Sequence, residues 1–207
     1  LITMDELWVE AVHLITGDVD VNGATLTIMP GAVIKFSANT ELTIGYGSGA
    51  AGATLIAEGT MEKPITFTSA ASTPSPGDWD YLAFYGGASN SSSMKYCMME
   101  YGGSYQNYGL VHVQDSKVSM ENCHIRHSEY HGITVVDEGQ FSSFTGNSIA
   151  SVGESAIAIS SEYAHTIGVG NELDALMGIQ VKGRHITESV TWHRQSVPYY
   201  LLQNVNV

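Results

Sequence analysis

The sequence is poor in cysteine and in basic side chains, and it contains no long apolar run. Its 207 residues include two cysteines, too few for a disulfide framework. Eight lysines and arginines stand against 21 aspartates and glutamates, so the net charge is −13 and nucleic acids, anionic membranes and polyuronates such as pectin would be repelled. No apolar stretch approaches the roughly 20 residues that cross a bilayer. We therefore expect no nucleic-acid partner and no membrane insertion.

The sequence does contain a repeat. Four alternating segments follow a small residue at steps of 23, 24 and 22 residues, beginning at Gly109, Gly132, Ala156 and Gly178. A second set interleaves with them at steps of 26, 24 and 24 residues, beginning at Cys97, Cys123, Asn147 and Asn171. The segments are short and bounded by Gly, Ser and Asn, which indicates strands of a solenoid. The sequence therefore predicts an all-β fold, a right-handed parallel β-helix of roughly eight coils.

Four further motifs resemble the right-handed parallel β-helix modules of large secreted and cell-surface bacterial proteins. They are LTIMPGAVIKF at 26–36, LIAEGTMEKPITFTS at 55–69, GDWDYLAF at 77–84 and YCMMEYGG at 96–103. The resemblance covers residues 12–183 and implies the fold, but no particular chemistry. Together with a composition low in lysine and rich in Ser, Thr, Gly and Tyr, it implies an extracellular or cell-surface location.

The repeat also predicts which side chains stack in the core. Three columns of like residues are expected, namely Leu110, Ile133, Ile157 and Ile179; Met99, Ile125, Ile149 and Leu173; and Met94, Met120 and Phe144. His112 falls in an inward column with Val135, Ile159 and Val181, which favours a core histidine over a ligand. Asn147 and Asn171 are expected to stack at a turn. Cys97 and Cys123 lie one coil apart, where two buried thiols are favoured but a disulfide stays open.

The domain organisation predicted is one β-helix domain over residues 1–185, with residues 1–21 as an N-terminal capping segment. Residues 186–207 echo the N-terminus, since Ile186, Trp192 and 204–207 match Ile2, Trp8 and 18–21. Two interpretations stay open: the start of a further module of the same polypeptide, or a tail that docks on the next subunit of a head-to-tail fibre. In the second, two sets of residues of neighbouring copies would meet: Val205, Asn206 and Val207 with Val19, Asp20 and Val21.

Candidate metal ligands are few. Asp18 with Asp20, and Asp78 with Asp80, are candidate calcium ligands, although solvated surface carboxylates are the simpler interpretation. His124, His127 and His131 lie in one coil, but their spacing matches no zinc pattern. We expect no cofactor, with calcium as the one candidate.

Loop aromatics give the clearest sign of a ligand. Sugar rings stack on such faces, and the candidates for a neutral-glycan surface are Tyr46, Trp79, Tyr85, Tyr105 and Tyr108. Catalysis is not indicated, because Arg126, Arg184 and Arg194 lie in no recognisable acidic cluster. The leading hypothesis is therefore a non-enzymatic extracellular structural module, part of a large surface protein or a fibre subunit. A carbohydrate-binding module is the alternative, and a polysaccharide lyase or hydrolase is the third.

Overall fold

The computed structural model describes residues 1–47 and 50–206, and the chain winds through them as a right-handed parallel β-helix. The first three coils contain β1 (Glu6–Trp8), β2 (Val12–Ile15), β3 (Val19–Val21), β4 (Thr25–Ile28), β5 (Val33–Phe36), β6 (Leu42–Ile44), β7 (Thr54–Glu58), β8 (Ile65–Ser69) and β9 (Leu82–Phe84). The next three contain β10 (Ser93–Lys95), β11 (Cys97–Glu100), β12 (Gly109–Gln114), β13 (Lys117–Glu121), β14 (His124–Arg126), β15 (His131–Val136), β16 (Gln140–Thr145), β17 (Ser148–Ala150) and β18 (Ile157–Ser160).

The last coils are less regular. The seventh begins with a single 3₁₀ turn (Ala164–Thr166) where the others have a strand, and continues with β19 (Glu172–Asp174) and β20 (Ile179–Lys182). The eighth contributes β21 (Tyr199–Leu201). The 3₁₀ turn is the one helical segment of the described residues, and they contain no helix long and apolar enough to span a membrane.

Corresponding strands of successive coils pair in parallel and form three sheets. The first runs β1-β4-β7-β10-β13-β16, the second β2-β5-β8-β11-β14-β17-β19, and the third β3-β6-β9-β12-β15-β18-β20-β21. We call them the six-, seven- and eight-stranded sheets. This arrangement confirms the predicted all-β solenoid.

Two of the three predicted core columns are confirmed. Met99, Ile125, Ile149 and Leu173 lie side by side in the seven-stranded sheet, and Met94, Met120 and Phe144 do so in the six-stranded sheet. All seven side chains are buried. Each buried aliphatic side chain contributes about 1.5–3 kcal/mol, so these columns supply much of the stability.

The third predicted column is wrong at its first member. Val111 and not Leu110 lies opposite Ile133, which continues to Ile157 and Ile179 as predicted. The loop before β12 brings Gly109 opposite His131, so the strand is shifted by one residue from the predicted register. Because strand side chains alternate between faces, this shift turns Val111 and Val113 inward and His112 outward. Leu110, at the start of the strand, is still fully buried in the hydrophobic core.

The same shift corrects the predicted position of His112. Val113 occupies the inward column with Val135, Ile159 and Val181. His112 instead lies on the outer face, opposite Thr134. It is nevertheless buried, because side chains from the loops cover it.

A polar ladder supports the turns between the six- and seven-stranded sheets, as predicted for Asn147 and Asn171. The backbone N–H of Cys123 donates to Asn147 Oδ1 at 2.9 Å, and that of Asn147 donates to Asn171 Oδ1 at 3.0 Å. Asn147 Nδ2 in turn donates to the Met120 carbonyl at 2.9 Å. Each amide thus satisfies backbone groups that the turn would otherwise leave without partners.

Cys97 and Cys123 are free and buried, as favoured from the sequence. The Cys97 thiol donates to the Ala57 carbonyl at 3.2 Å. Burial raises the pKa of the Cys97 thiol, so it stays protonated and unreactive.

The N-terminal and C-terminal ends of the solenoid form equivalent backbone hydrogen bonds, at residues that match each other in the sequence. The backbone N–H of Ile2 donates to the Asp20 carbonyl at 2.7 Å, and that of Ile186 donates to the Asn206 carbonyl at 2.9 Å. β21 pairs with β20 and with no other strand of the described residues. Val207 lies outside the described residues, and the two interpretations of the tail stay predictions.

Candidate functional site

Aromatic side chains gather on the outer face of the eight-stranded sheet. Tyr46 packs on Tyr85 with ring centroids 4.8 Å apart, and Tyr85 lies 5.8 Å from the ring of His112. Tyr108 lies 4.1 Å from His112 and stacks on Tyr81 at 4.9 Å. Tyr105 contacts Tyr81 edge-on at 5.8 Å. We call these six residues the aromatic cluster.

Strand geometry explains why the cluster forms. Leu82 and Phe84 of β9 point into the core, so Tyr81 and Tyr85, which flank the strand, lie on its outer side. In the next coil, β12 places His112 beside Tyr81 and Tyr85. His112 precedes the inward-facing Val113 and therefore lies on the outer face of the sheet. Tyr46 and Tyr108 come from the loops that adjoin β6 and β12.

Four tyrosines of the cluster, Tyr46, Tyr81, Tyr85 and Tyr108, line a groove of about 480 Å³. Its described lining residues are Glu41, Gly45, Tyr46, Gly47, Tyr81, Tyr85, Gly86, Gly87, Tyr108, Gln114 and Asp115. At one edge, two coils approach backbone to backbone: Gly45 has a φ of +79°, and a Cβ there would lie 2.1 Å from the Ala88 nitrogen. Glycine at this position therefore allows the two coils to approach this closely.

Glu41 is the central charged group of the groove. Burial raises its pKa, a hydrogen bond from Tyr81 lowers it, and the nearby carboxylates of Asp18, Asp80 and Asp20 raise it again. Burial and the contact with Glu41 raise the pKa of Tyr81 far above its ordinary value. Tyr81 therefore keeps its proton and remains a hydrogen-bond donor at any physiological pH.

His112 forms the buried base of the cluster. Its Nδ1 atom lies 2.7 Å from Thr134 Oγ1, which already accepts the backbone N–H of Gly109 at 3.0 Å. Nε2 is buried and has no partner among the described residues.

Burial lowers the pKa of His112 from 6.5 to about 4, and this gives a testable pH dependence. Between these values the unfolded chain binds a proton that the folded chain does not, so the free energy of unfolding should fall as the pH falls. From pH 6.5 to pH 5 the loss due to His112 is about 1.5 kcal/mol. Urea titrations at several pH values should show a flatter profile for H112Q than for the natural sequence. H124Q, which alters an exposed histidine, is the control, and an unchanged slope in H112Q would contradict the prediction.

Four of the five predicted glycan-stacking residues lie in the cluster, namely Tyr46, Tyr85, Tyr105 and Tyr108. The prediction for Trp79 is wrong. Its ring is fully buried and stacks on Phe36 at 4.1 Å, and its Nε1 donates to the Glu100 carbonyl at 2.9 Å. Trp79 is therefore part of the hydrophobic core, and no sugar can stack on its ring.

Several groove residues were not selected from the sequence, among them Glu41, Gln114 and Asp115. They are polar residues at strand ends and carry no motif. Tyr81 and Tyr85 flank the strand Leu82-Ala83-Phe84, whose leucine and phenylalanine face inward. Because strand side chains alternate, both tyrosines must face outward, and this pattern indicates the position of the groove.

Three of the four candidate calcium ligands, Asp18, Asp20 and Asp80, lie near Glu41, whereas Asp78 holds a loop. Asp78 accepts hydrogen bonds from Ser69 Oγ at 2.6 Å and from the Ser75 N–H at 3.0 Å, which fixes a loop. Asp80 accepts from Ser104 Oγ at 2.5 Å, and Asp20 from Thr43 Oγ1 at 2.5 Å. Residues 1–47 and 50–206 contain no group of three acidic, histidine or cysteine side chains arranged to hold a metal ion. Calcium binding stays a prediction.

The three neighbouring histidines do not converge either. His124 is exposed, and His127 stacks on Tyr101 at 5.0 Å. His131 is buried, with Nδ1 2.8 Å from Ser155 Oγ and Nε2 3.2 Å from Glu154 Oε2.

Three parallel sheets closed into stacked coils, with a groove on the outer face of one sheet, define the chain as a right-handed parallel β-helix protein. The family described as the pectate-lyase-like β-helix domain matches residues 3–163. The chain belongs to this family. The comparisons with curated proteins and with solved structures found no match.

Proposed function

We propose that the chain is an extracellular carbohydrate-binding β-helix module, and that the aromatic cluster is its binding surface. The observation that carries the proposal is the row of tyrosine rings along one open groove. A pyranose ring buries one apolar face against such a ring, while phenol, amide and carboxylate groups at the groove edges bond its hydroxyls.

The charges of the groove support a glycan without carboxylates. Its charged lining residues within the described part of the chain are Glu41 and Asp115, which would repel a polyuronate. Two of the three arginines pair elsewhere, Arg126 with Glu100 at 2.8 Å and Arg184 with Glu138 at 3.3 Å. We therefore propose binding without catalysis, and release of unsaturated uronates from pectin would contradict this.

Replacing Tyr85 by alanine should weaken glycan binding by about tenfold, because it removes a central stacking face. Calorimetric titration with cellohexaose and with the hexamers of N-acetylglucosamine and glucosamine measures the change. Tyr200→Ala is the matched control, since Tyr200 is an exposed ring on the eight-stranded sheet but lies at its far end. Equal affinities of the two variants for every oligomer, or no binding by the natural sequence, would refute the proposed surface.

A second function, assembly into a longer rod, is favoured by the end of the eight-stranded sheet. β21 presents an outer edge that pairs with no other described strand, and such edges add strands from another chain or module. In this proposal the partner is a second copy or an adjoining module, with 19–21 meeting 205–207. Light scattering and electron microscopy of the full-length protein would show filaments, and a strictly monomeric protein would remove the fibre form of the proposal.

A further inference from the structure

Five carboxylates lie in or close to the groove. Glu41 and Asp115 line the groove, and Asp18, Asp20 and Asp80 surround Glu41 closely enough to raise its pKa. Within residues 1–47 and 50–206, none of these five carboxylates forms an ion pair with lysine or arginine.

Elsewhere on the solenoid, several acidic side chains form ion pairs with lysine or arginine. Glu10 pairs with Lys63 at 2.7 Å, Glu100 with Arg126 at 2.8 Å, and Lys95 lies between Glu58 at 3.6 Å and Glu121 at 3.9 Å. None of these three basic residues lines the groove. The groove is left with a concentrated negative potential inside a concave wall, where low dielectric strengthens it.

The faces of the tyrosine rings also favour a positively charged ligand. An aromatic ring presents negative charge on its face and attracts an ammonium group that lies over it. Tyr85 and Tyr108, whose rings lie 5.8 and 4.1 Å from His112, offer such faces beside Glu41. Burial keeps His112 neutral, with a pKa of about 4, so the base of the cluster adds no opposing positive charge.

We propose that the groove selects glycans that carry free ammonium groups, such as chains of deacetylated amino sugars. The sugar ring stacks on a tyrosine and its ammonium group lies between the tyrosine faces and the Glu41 carboxylate. This inference rests on the proposed carbohydrate-binding function and names the class of sugar within it. A flexible polyamine has the charge but no ring to stack, and the groove should therefore prefer the sugar.

The test compares the glucosamine hexamer with the N-acetylglucosamine hexamer, which has the same backbone without the charge. Titrations are made at about 0.15 M salt, at a pH that keeps the sugar amines protonated. The glucosamine hexamer should bind at least about tenfold more tightly. Glu41→Gln should reduce that ratio several-fold, and Asp115→Asn provides an independent second variant. Glu172→Gln, on the exposed surface of the seven-stranded sheet, is the control and should leave the ratio unchanged.

Each other outcome has a definite meaning. Equal affinity for the two hexamers would overturn the inference and leave the proposed carbohydrate binding intact. Spermine binding as tightly as the glucosamine hexamer would show simple attraction to an acidic surface and would also overturn it. Binding of neither hexamer, nor of cellohexaose, would refute the proposed function itself. Far-UV circular dichroism of each variant confirms that it is folded.

Discussion

Replacing Trp79 by alanine should lower the free energy of unfolding by about 3–5 kcal/mol, the largest effect expected of any substitution considered. The indole is fully buried, stacks on Phe36 at 4.1 Å and donates to the Glu100 carbonyl at 2.9 Å. A Cβ on Gly102 would lie 2.7 Å from the indole, so the neighbouring coil packs directly on the ring. Alanine would leave a cavity between the coils and an unpaired carbonyl. Urea unfolding followed by circular dichroism measures the loss.

Two further variants make the Trp79 prediction specific. Trp79→Phe keeps the stacking on Phe36 and loses the hydrogen bond, so it should cost less than Trp79→Ala. Tyr105→Ala removes a ring that is 53% exposed and should change the stability by no more than about 0.5 kcal/mol. If Trp79→Ala cost no more than Tyr105→Ala, the assignment of Trp79 to the core would be wrong. A stable Trp79→Phe variant that had lost glycan binding would restore its predicted role in binding.

Replacing Asn147 by alanine should cost about 2–4 kcal/mol, because it leaves several buried backbone groups without partners. The Cys123 N–H would lose its acceptor at 2.9 Å, and the Met120 carbonyl would lose its donor at 2.9 Å. Both groups lie in the coil before Asn147, so the damage should spread across two coils. Denaturant unfolding gives the total cost, and faster hydrogen exchange at the Cys123 amide would locate it.

Ser148→Ala is the matched control for Asn147, since Ser148 is the next residue and is only partly buried in β17. It should leave the stability within about 0.5 kcal/mol of the natural value. A cost for Asn147→Ala as small as that of Ser148→Ala would show that the ladder contributes nothing to the stability of the turns.

The fold could be predicted from the sequence because every coil of a solenoid needs similar residues at equivalent positions. Met94, Met120 and Phe144 had to lie in one column, since each occupies the same place in its own coil and buries its side chain against the next. Asn147 and Asn171 could be paired for the same reason, because they occupy the same turn of successive coils. Periodicity and residue type, both visible in the sequence, were sufficient for these assignments.

The set of side chains that line the groove depends on the tertiary structure. The length of the loop before β12 fixes whether His112 or Val113 faces the core. Since strand side chains alternate, an error of one residue exchanges inside and outside, and so His112 was assigned to the core when it supports the groove. Trp79 and Tyr81 stand two residues apart beside one corner, yet one fills the core and the other lines the groove. The sequence determined the coils, whereas the register of each coil against its neighbour decided which side chains a ligand can reach.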